Sequence, residues 1–194
     1  MNTPRVWLVR HGETAWSCSG QHTSRTELPL TTAGERQAKA LGPVLAGRQF
    51  DLVETSPRLR AKRTAELAGF DAVEDEDLVE WDYGQLEGLT TEEIRSSHPG
   101  WTIWDGPWPG GERPEQVGAR ARRVLQRVRA IPAQGEALLF SHGHILRALA
   151  AMWLGRPPQD GRMLLLGTAT VSVLGWEHGA PAVQRWNVPV SEQL

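Results

Sequence analysis

Cysteine is almost absent from the chain: Cys18 stands alone among 194 residues. An intrachain disulfide is therefore impossible, and a thiolate zinc cluster cannot form. Charge of one sign is also lacking, with 21 Lys+Arg against 23 Asp+Glu and a net charge of −2. A protein that wraps nucleic acid or an anionic membrane carries a strong basic excess, so neither partner is expected, and a bound anion has to be caught by a local cluster. No apolar run approaches the roughly 20 residues that cross a bilayer. The first ten residues lack the basic start, long apolar stretch and cleavage site of a secretory signal, which makes a cytoplasmic location the expectation. Tyrosine and phenylalanine are scarce, one and three, whereas tryptophan is not: there are nine.

With 40% hydrophobic and 23% charged residues, the composition is that of a globular chain and excludes general disorder. A chain this long can bury about 70% of its unfolded surface, enough for one full core. A single domain spanning 1–194 is expected.

Strand and helix patterns alternate. Val6-Trp7-Leu8-Val9 is a fully apolar run, the mark of a strand buried on both faces, and it leads into Arg10-His11-Gly12. A helix is expected over Thr31–Leu45, a strand over Asp51–Ser56, a helix from Pro57 to Ala68, and a short strand within 72–80. Thr90 or Thr91 with Glu93 opens a helix that stops at Pro99, and Gly100–Pro114 reads as an irregular excursion. Over Glu112–Ala130, Val117, Ala121, Val124, Leu125 and Val128 make one apolar stripe, with arginines on a face read as solvated. Ala137–Phe140 is a second buried strand, ending in Ser141-His142-Gly143-His144 before a helix through Leu154. Two more strands flank a turn at His178-Gly179. The fold class that follows is α/β: a three-layer sandwich with a mostly parallel central sheet, helices on both faces and a small cap insertion at about 81–115. Its ligand site belongs beyond the carboxyl ends of the strands.

Two histidines, His11 and His142, each follow a buried strand and each precede a glycine, which lets backbone approach what the imidazole touches. Ser56-Pro57-Arg58-Leu59-Arg60 follows a third strand. Arginine's fork of donors matches a tetrahedral oxyanion, and a neutral imidazole can take a phosphoryl group. Flanking arginines make a poor divalent-cation site and no HExxH occurs, so phosphate is preferred to metal. His22, His98 and His178 read as ordinary surface or core residues, and Cys18 as a packing residue. The cluster Trp101, Trp104 and Trp108 reads as an apolar wall over the site or as core packing.

These blocks carry a resemblance. Leu8-Val9-Arg10-His11-Gly12-Glu13-Thr14, Ser19-Gly20-Gln21-His22-Thr23, Ser56-Pro57-Arg58-Leu59-Arg60-Ala61, Glu80-Trp81-Asp82-Tyr83-Gly84 and Ser141-His142-Gly143-His144, in this order, resemble the histidine phosphatase superfamily over nearly the whole chain. The resemblance implies that His11 becomes phosphohistidine, that Arg10, Arg60 and His142 form the phosphate pocket, and that Glu80 protonates the leaving oxygen. Ser17, Thr23, Ser24 and Gly143 fall where relatives contact substrate. No metal or other cofactor is implied.

The expected activity is that of a metal-independent phosphomonoester hydrolase acting on a small phosphorylated substrate, a sugar phosphate being favoured. Phosphoglycerate mutase activity is the alternative. The short 80–142 segment, Ser17 and His144 (mutases commonly carry Asn at both positions) speak against it. A phosphoprotein phosphatase or a phosphate-binding adaptor is the further alternative. Relatives are often homodimers, and no surface in the sequence decides whether this chain is one.

Overall fold

The computed structural model describes residues 3–190. In chain order the elements are β1 (Arg5–Arg10), α1 (Ala15–Ser19), α2 (Thr32–Leu45), β2 (Leu52–Thr55), α3 (Leu59–Leu67), β3 (Val73–Glu74), α4 (Thr91–Ser97), α5 (Pro114–Ala130), β4 (Glu136–Ser141), α6 (Gly143–Trp153), β5 (Thr170–Glu177) and β6 (Ala180–Pro189). The sheet order is β3-β2-β4-β1-β5-β6. Its first four strands are parallel, and β5 and β6 add antiparallel.

The apolar runs of β1 and β4 are explained by cover on both faces. Val6, Leu8, Ala137 and Leu139 face one core with the stripe of α5 and the inner side of α6. Trp7, Val9, Leu138 and Phe140 point the other way, onto Leu41 and Leu45 of α2 and Ala65 of α3. Alternation along each strand thus feeds two hydrophobic layers. Burying each Val or Leu of the α5 stripe contributes about 1.5–3 kcal/mol. Among the described residues no helix is long and apolar enough to cross a membrane.

Register places the chemistry. Arg10 pairs with Ser141 across β1 and β4, and Thr55 pairs with Phe140 across β2 and β4. The next residues, His11, His142 and Ser56, therefore leave the same edge of the sheet together. Two backbone bonds lock this edge, from His11 N–H to Ser141 O at 2.9 Å and from Ser56 N–H to Phe140 O at 2.9 Å.

Several expectations are corrected. Pro57 does not open α3: the helix begins at Leu59, and Ser56 turns its hydroxyl to His142 instead of capping it. The strand expected within 72–80 is two residues long, because Asp75 caps a 3-10 turn at Glu76–Leu78 and takes the chain off the sheet. Glu112 is not helical, since its carboxylate is engaged by Arg120 and α5 starts at Pro114. Nor is the arginine face of α5 merely solvated. Arg120 donates to the carbonyls of Asp77 and Val79 at 2.7 and 3.0 Å, and Arg127 holds Glu54, Asp75 and Asp77. These arginines clamp the segment that delivers Glu80. The five-residue α1 has no apolar periodicity and was not expected. It rests on a capping box between Thr14 and Ser17. Cys18 on it is exposed, so it is no packing residue.

The loop after β1 touches the start of α2 backbone to backbone. A Cβ on Gly34 would lie 2.1 Å from the Glu13 carbonyl oxygen, and one on Gly12 would lie 2.5 Å from that of Gly34. Backbone cannot step aside as a side chain can. Gly34→Ala is expected to cost about 1–3 kcal/mol, lowering Tm by roughly 2–12 °C. A thermal melt with unchanged Tm would show that the loop after β1 relaxes freely.

Candidate active site

The strand edge opens into a cavity of about 240 Å³ lined, among others, by Arg10, His11, Ser17, Thr23, Glu80 and Gly143. Six of the nine residues expected at the site are therefore together.

His11 is 5% exposed, and its Nδ1 lies 2.8 Å from the Gly12 carbonyl oxygen. A carbonyl only accepts, so Nδ1 carries the proton and Nε2 of the neutral ring keeps its lone pair. Burial pushes the imidazole well below the ordinary histidine range; Arg60 and Arg10 add to this, and only the Gly12 carbonyl opposes it. The imidazole of His11 is held neutral and pointed by its own loop.

Arg10 donates to the Leu166 carbonyl at 2.6 Å, and its buried Nε has no partner among the described residues. An unpaired donor on a buried guanidinium is costly unless an acceptor arrives. Gly143 makes room for it: a Cβ there would sit 3.4 Å from the guanidinium carbon of Arg10 and 3.6 Å from Glu80 Oε2.

Glu80 is suspended from the start of α6. Oε1 accepts from Trp81 N–H and Ile145 N–H at 2.8 and 2.9 Å, and Oε2 accepts from His144 N–H at 3.0 Å. Three backbone donors thus fix the direction of the carboxyl group. Glu80 also lines a second cavity of about 450 Å³. The charges there are largely paired with each other, Arg25 with Asp82 and Arg120 with Glu112.

Three expected residues lie elsewhere. Arg60 and His142 are both 0% exposed and stand behind His11, whose ring centroid is 5.2 Å from that of His142. Arg60 gives Nε to His142 Nδ1 at 3.2 Å and its terminal nitrogens to the carbonyls of Thr23, Ser24 and Thr26 at 3.1–3.2 Å. With the fork so engaged, Arg60 acts on His11 through its field. His142 takes that bond at Nδ1, so its Nε2–H is directed 2.8 Å to the Ser56 hydroxyl. Ser24 is turned away: its hydroxyl donates to Glu87, whose carboxylate also accepts from the backbone N–H groups of Ser24, Arg25 and Thr26. Ser24 therefore fixes the loop and does not line the cavity.

Residues not expected at the site also line it, among them His22, Tyr83, His144 and Arg147. His22 is thus no ordinary surface residue. Tyr83 and His144 stand inside the motif blocks, which was the one signal for them. Trp16 lines this cavity, but Trp101, Trp104 and Trp108 do not. Trp101 meets His22 edge-on at 5.2 Å and Trp104 meets His144 at 5.3 Å, so they are core residues that brace the two imidazoles.

The model of the histidine phosphatase superfamily (branch 1) matches residues 6–189. An acid phosphatase of Mycobacterium tuberculosis is 42% identical over 178 residues, covering 90% of this chain and 88% of that protein. The sedoheptulose 1,7-bisphosphatase of Saccharomyces cerevisiae is 38% identical over 185 residues, covering 79% of this chain and 68% of its own length. Among solved structures, the product of the open reading frame Rv3214 of Mycobacterium tuberculosis superposes with a TM-score of 0.92 at 39% identity, covering 96% of this chain and 98% of that one.

The buried imidazoles couple folding to pH. Burial lowers His11, His142 and His144 well below their ordinary value, and His22 less far. The unfolded chain then binds more protons than the native one as pH falls below about 6.5, so stability is full above that value and lost below it. Each imidazole that stays neutral costs about 1.4 kcal/mol per pH unit in that range. Urea unfolding at pH 7.5 and 5.5 is expected to show a clear loss at the lower pH, reduced in His142→Gln. Equal stability at both values would mean that these rings protonate freely in the fold.

Proposed function

Because the chain belongs to the histidine phosphatase superfamily, we propose that it hydrolyses small phosphomonoesters through a phosphohistidine at His11. The observation that carries this reading is one cavity holding a neutral His11 with a free Nε2, an Arg10 with an unpartnered N–H, and the carboxyl of Glu80.

In the first step the Nε2 lone pair attacks phosphorus and the bond to the ester oxygen breaks. The leaving oxygen takes a proton from Glu80, which enters the step as the acid. Proton donation of this kind contributes about 10²- to 10⁴-fold. The imidazole carries the phosphoryl group on Nε2, and its Nδ1–H stays on the Gly12 carbonyl, which stabilises the positive ring. In the second step water attacks phosphorus while Glu80, now a carboxylate, accepts the proton. The Nε2–P bond breaks and inorganic phosphate leaves.

Charge on the phosphoryl oxygens is met by Arg10 directly and by Arg60 through the field beneath His11, so the reading calls on no metal. Ser17, Thr23 and Gly143 line the approach. A leaving group of sugar size is supported by the cavity volume and by the bisphosphatase activity that the yeast relative's name records.

The test is phosphate release over a panel of phosphomonoesters without added metal, beside an isomerisation assay on 3-phosphoglycerate. Release is expected, with a loss on the order of 10³-fold or more in His11→Ala and about 10²- to 10³-fold in kcat for Arg10→Ala. The pH profile of kcat/KM should be bell-shaped. Its acid limb lies below the ordinary histidine range, because burial and the two guanidinium groups hold His11 neutral there. Isomerisation with little release would assign a mutase, and no turnover at all would assign a phosphate-binding protein.

A further inference from the structure

His22 and His144 face each other across the same cavity with ring planes 3° apart and centroids at 6.2 Å. Each is fixed at Nδ1. His22 Nδ1 lies 2.9 Å from the Leu89 carbonyl oxygen, which can only accept, so that nitrogen is protonated and Nε2 is a bare acceptor. His144 Nδ1 lies 2.5 Å from the Tyr83 hydroxyl. The phenol has no other acceptor among the described residues, and a proton on Nδ1 would leave the phenolic O–H buried and unpaired. Tyr83 therefore donates, and the proton of His144 sits on Nε2. Among the described residues no hydrogen bond reaches either Nε2.

We propose that His22 and His144 form a donor–acceptor pair that selects esters whose leaving group carries a hydroxyl next to the phosphorylated carbon. A hydroxyl within reach of both Nε2 atoms donates to His22 Nε2 and accepts from His144 Nε2–H. A carboxylate or second phosphate, which only accepts, would set its lone pairs against that of His22. An alkyl chain would leave both nitrogens unpaired. The rings cannot turn to suit another group. Trp101 and Tyr83 pack edge-on to His22 at 5.2 and 4.8 Å, and Trp104 packs edge-on to His144. Two charged groups stand at this corner: the Glu80 carboxyl, whose Oε2 is 3.9 Å from His144 Nδ1, and Arg147, which has Nε on the Gly161 carbonyl and lies over Trp104.

The proposal rests on the phosphatase reading, and matched esters separate the two. Initial rates are measured for glycerol 1-phosphate, n-propyl phosphate and 2-phosphoglycolate, whose carboxylate stands next to the phosphorylated carbon, with the unmodified chain, His22→Phe and His144→Phe. Both substitutions keep a ring and the backbone N–H that reaches Glu80. The readout is the ratio of kcat/KM between esters within one variant, which a general loss of activity does not move. The unmodified chain is expected to prefer glycerol 1-phosphate over n-propyl phosphate by about tenfold or more, and over 2-phosphoglycolate as well. Each variant should bring the propyl ratio toward one. Equal rates on all three esters, preference for the carboxylate, or ratios unchanged in both variants would overturn the proposal and leave the phosphatase reading standing. Hydrolysis of none of them would overturn that reading itself.

Discussion

Beneath His11 sits a guanidinium with no exposed surface. Burying a cation costs several kcal/mol unless its donors are met, and Arg60 meets this by gathering the carbonyls of Thr23, Ser24 and Thr26 and the Nδ1 of His142 around itself. The acceptors belong to two parts of the site, one loop and one imidazole. The carbonyls anchor the loop that carries Thr23 into the cavity and join it to Glu87, whose hydrogen bonds from Ser24 and Thr26 outweigh its burial and hold it ionised. The imidazole fixes His142 in the tautomer that reaches Ser56. After burial itself, the same charge is the largest influence keeping His11 and His142 neutral. One buried arginine thus organises the loop, sets a tautomer and helps to keep His11 neutral.

The second support is the start of α6. Its free N–H groups would be orphans in a buried setting, and Glu80 satisfies two of them while its third bond comes from Trp81 N–H. The carboxyl is thereby placed within the cavity of His11 although it lies at the end of an irregular stretch. That stretch is itself held from outside by Arg120, Arg123 and Arg127 of α5. Glu80 is positioned by packing of helix against loop, not by any regular structure of its own.

Much of this was legible in the chain. Arg10, His11 and His142 could be placed because an apolar run followed at once by a polar motif fixes both a buried strand and the edge where it ends. The order of the motif blocks supplied Glu80, and the capping box of Thr90 and Glu93 placed α4. What could not be read depends on contacts between distant segments. His22 looks like any loop histidine until Leu89, Trp101 and Tyr83 close around it. Ser24 sits beside Thr23, yet a single carboxylate, Glu87, turns it the other way. The arginines of α5 had the spacing of a solvated face, and only the return of 75–80 beneath them makes them clamps. The tryptophans were visible as a cluster, but whether they lined the cavity or stood behind its imidazoles was set by packing.

The central claim is that a neutral His11, protonated on Nδ1 and buried over Arg60, accepts the phosphoryl group on Nε2. Rapid mixing with a phosphomonoester followed by denaturing quench captures the covalent adduct, and phosphorus–nitrogen NMR on histidine-labelled protein identifies the bonded atom. The account predicts a phosphoramidate on Nε2 of His11 that forms and decays at rates compatible with turnover. Phosphate on Nδ1, on another residue, or on no residue during active turnover would contradict it.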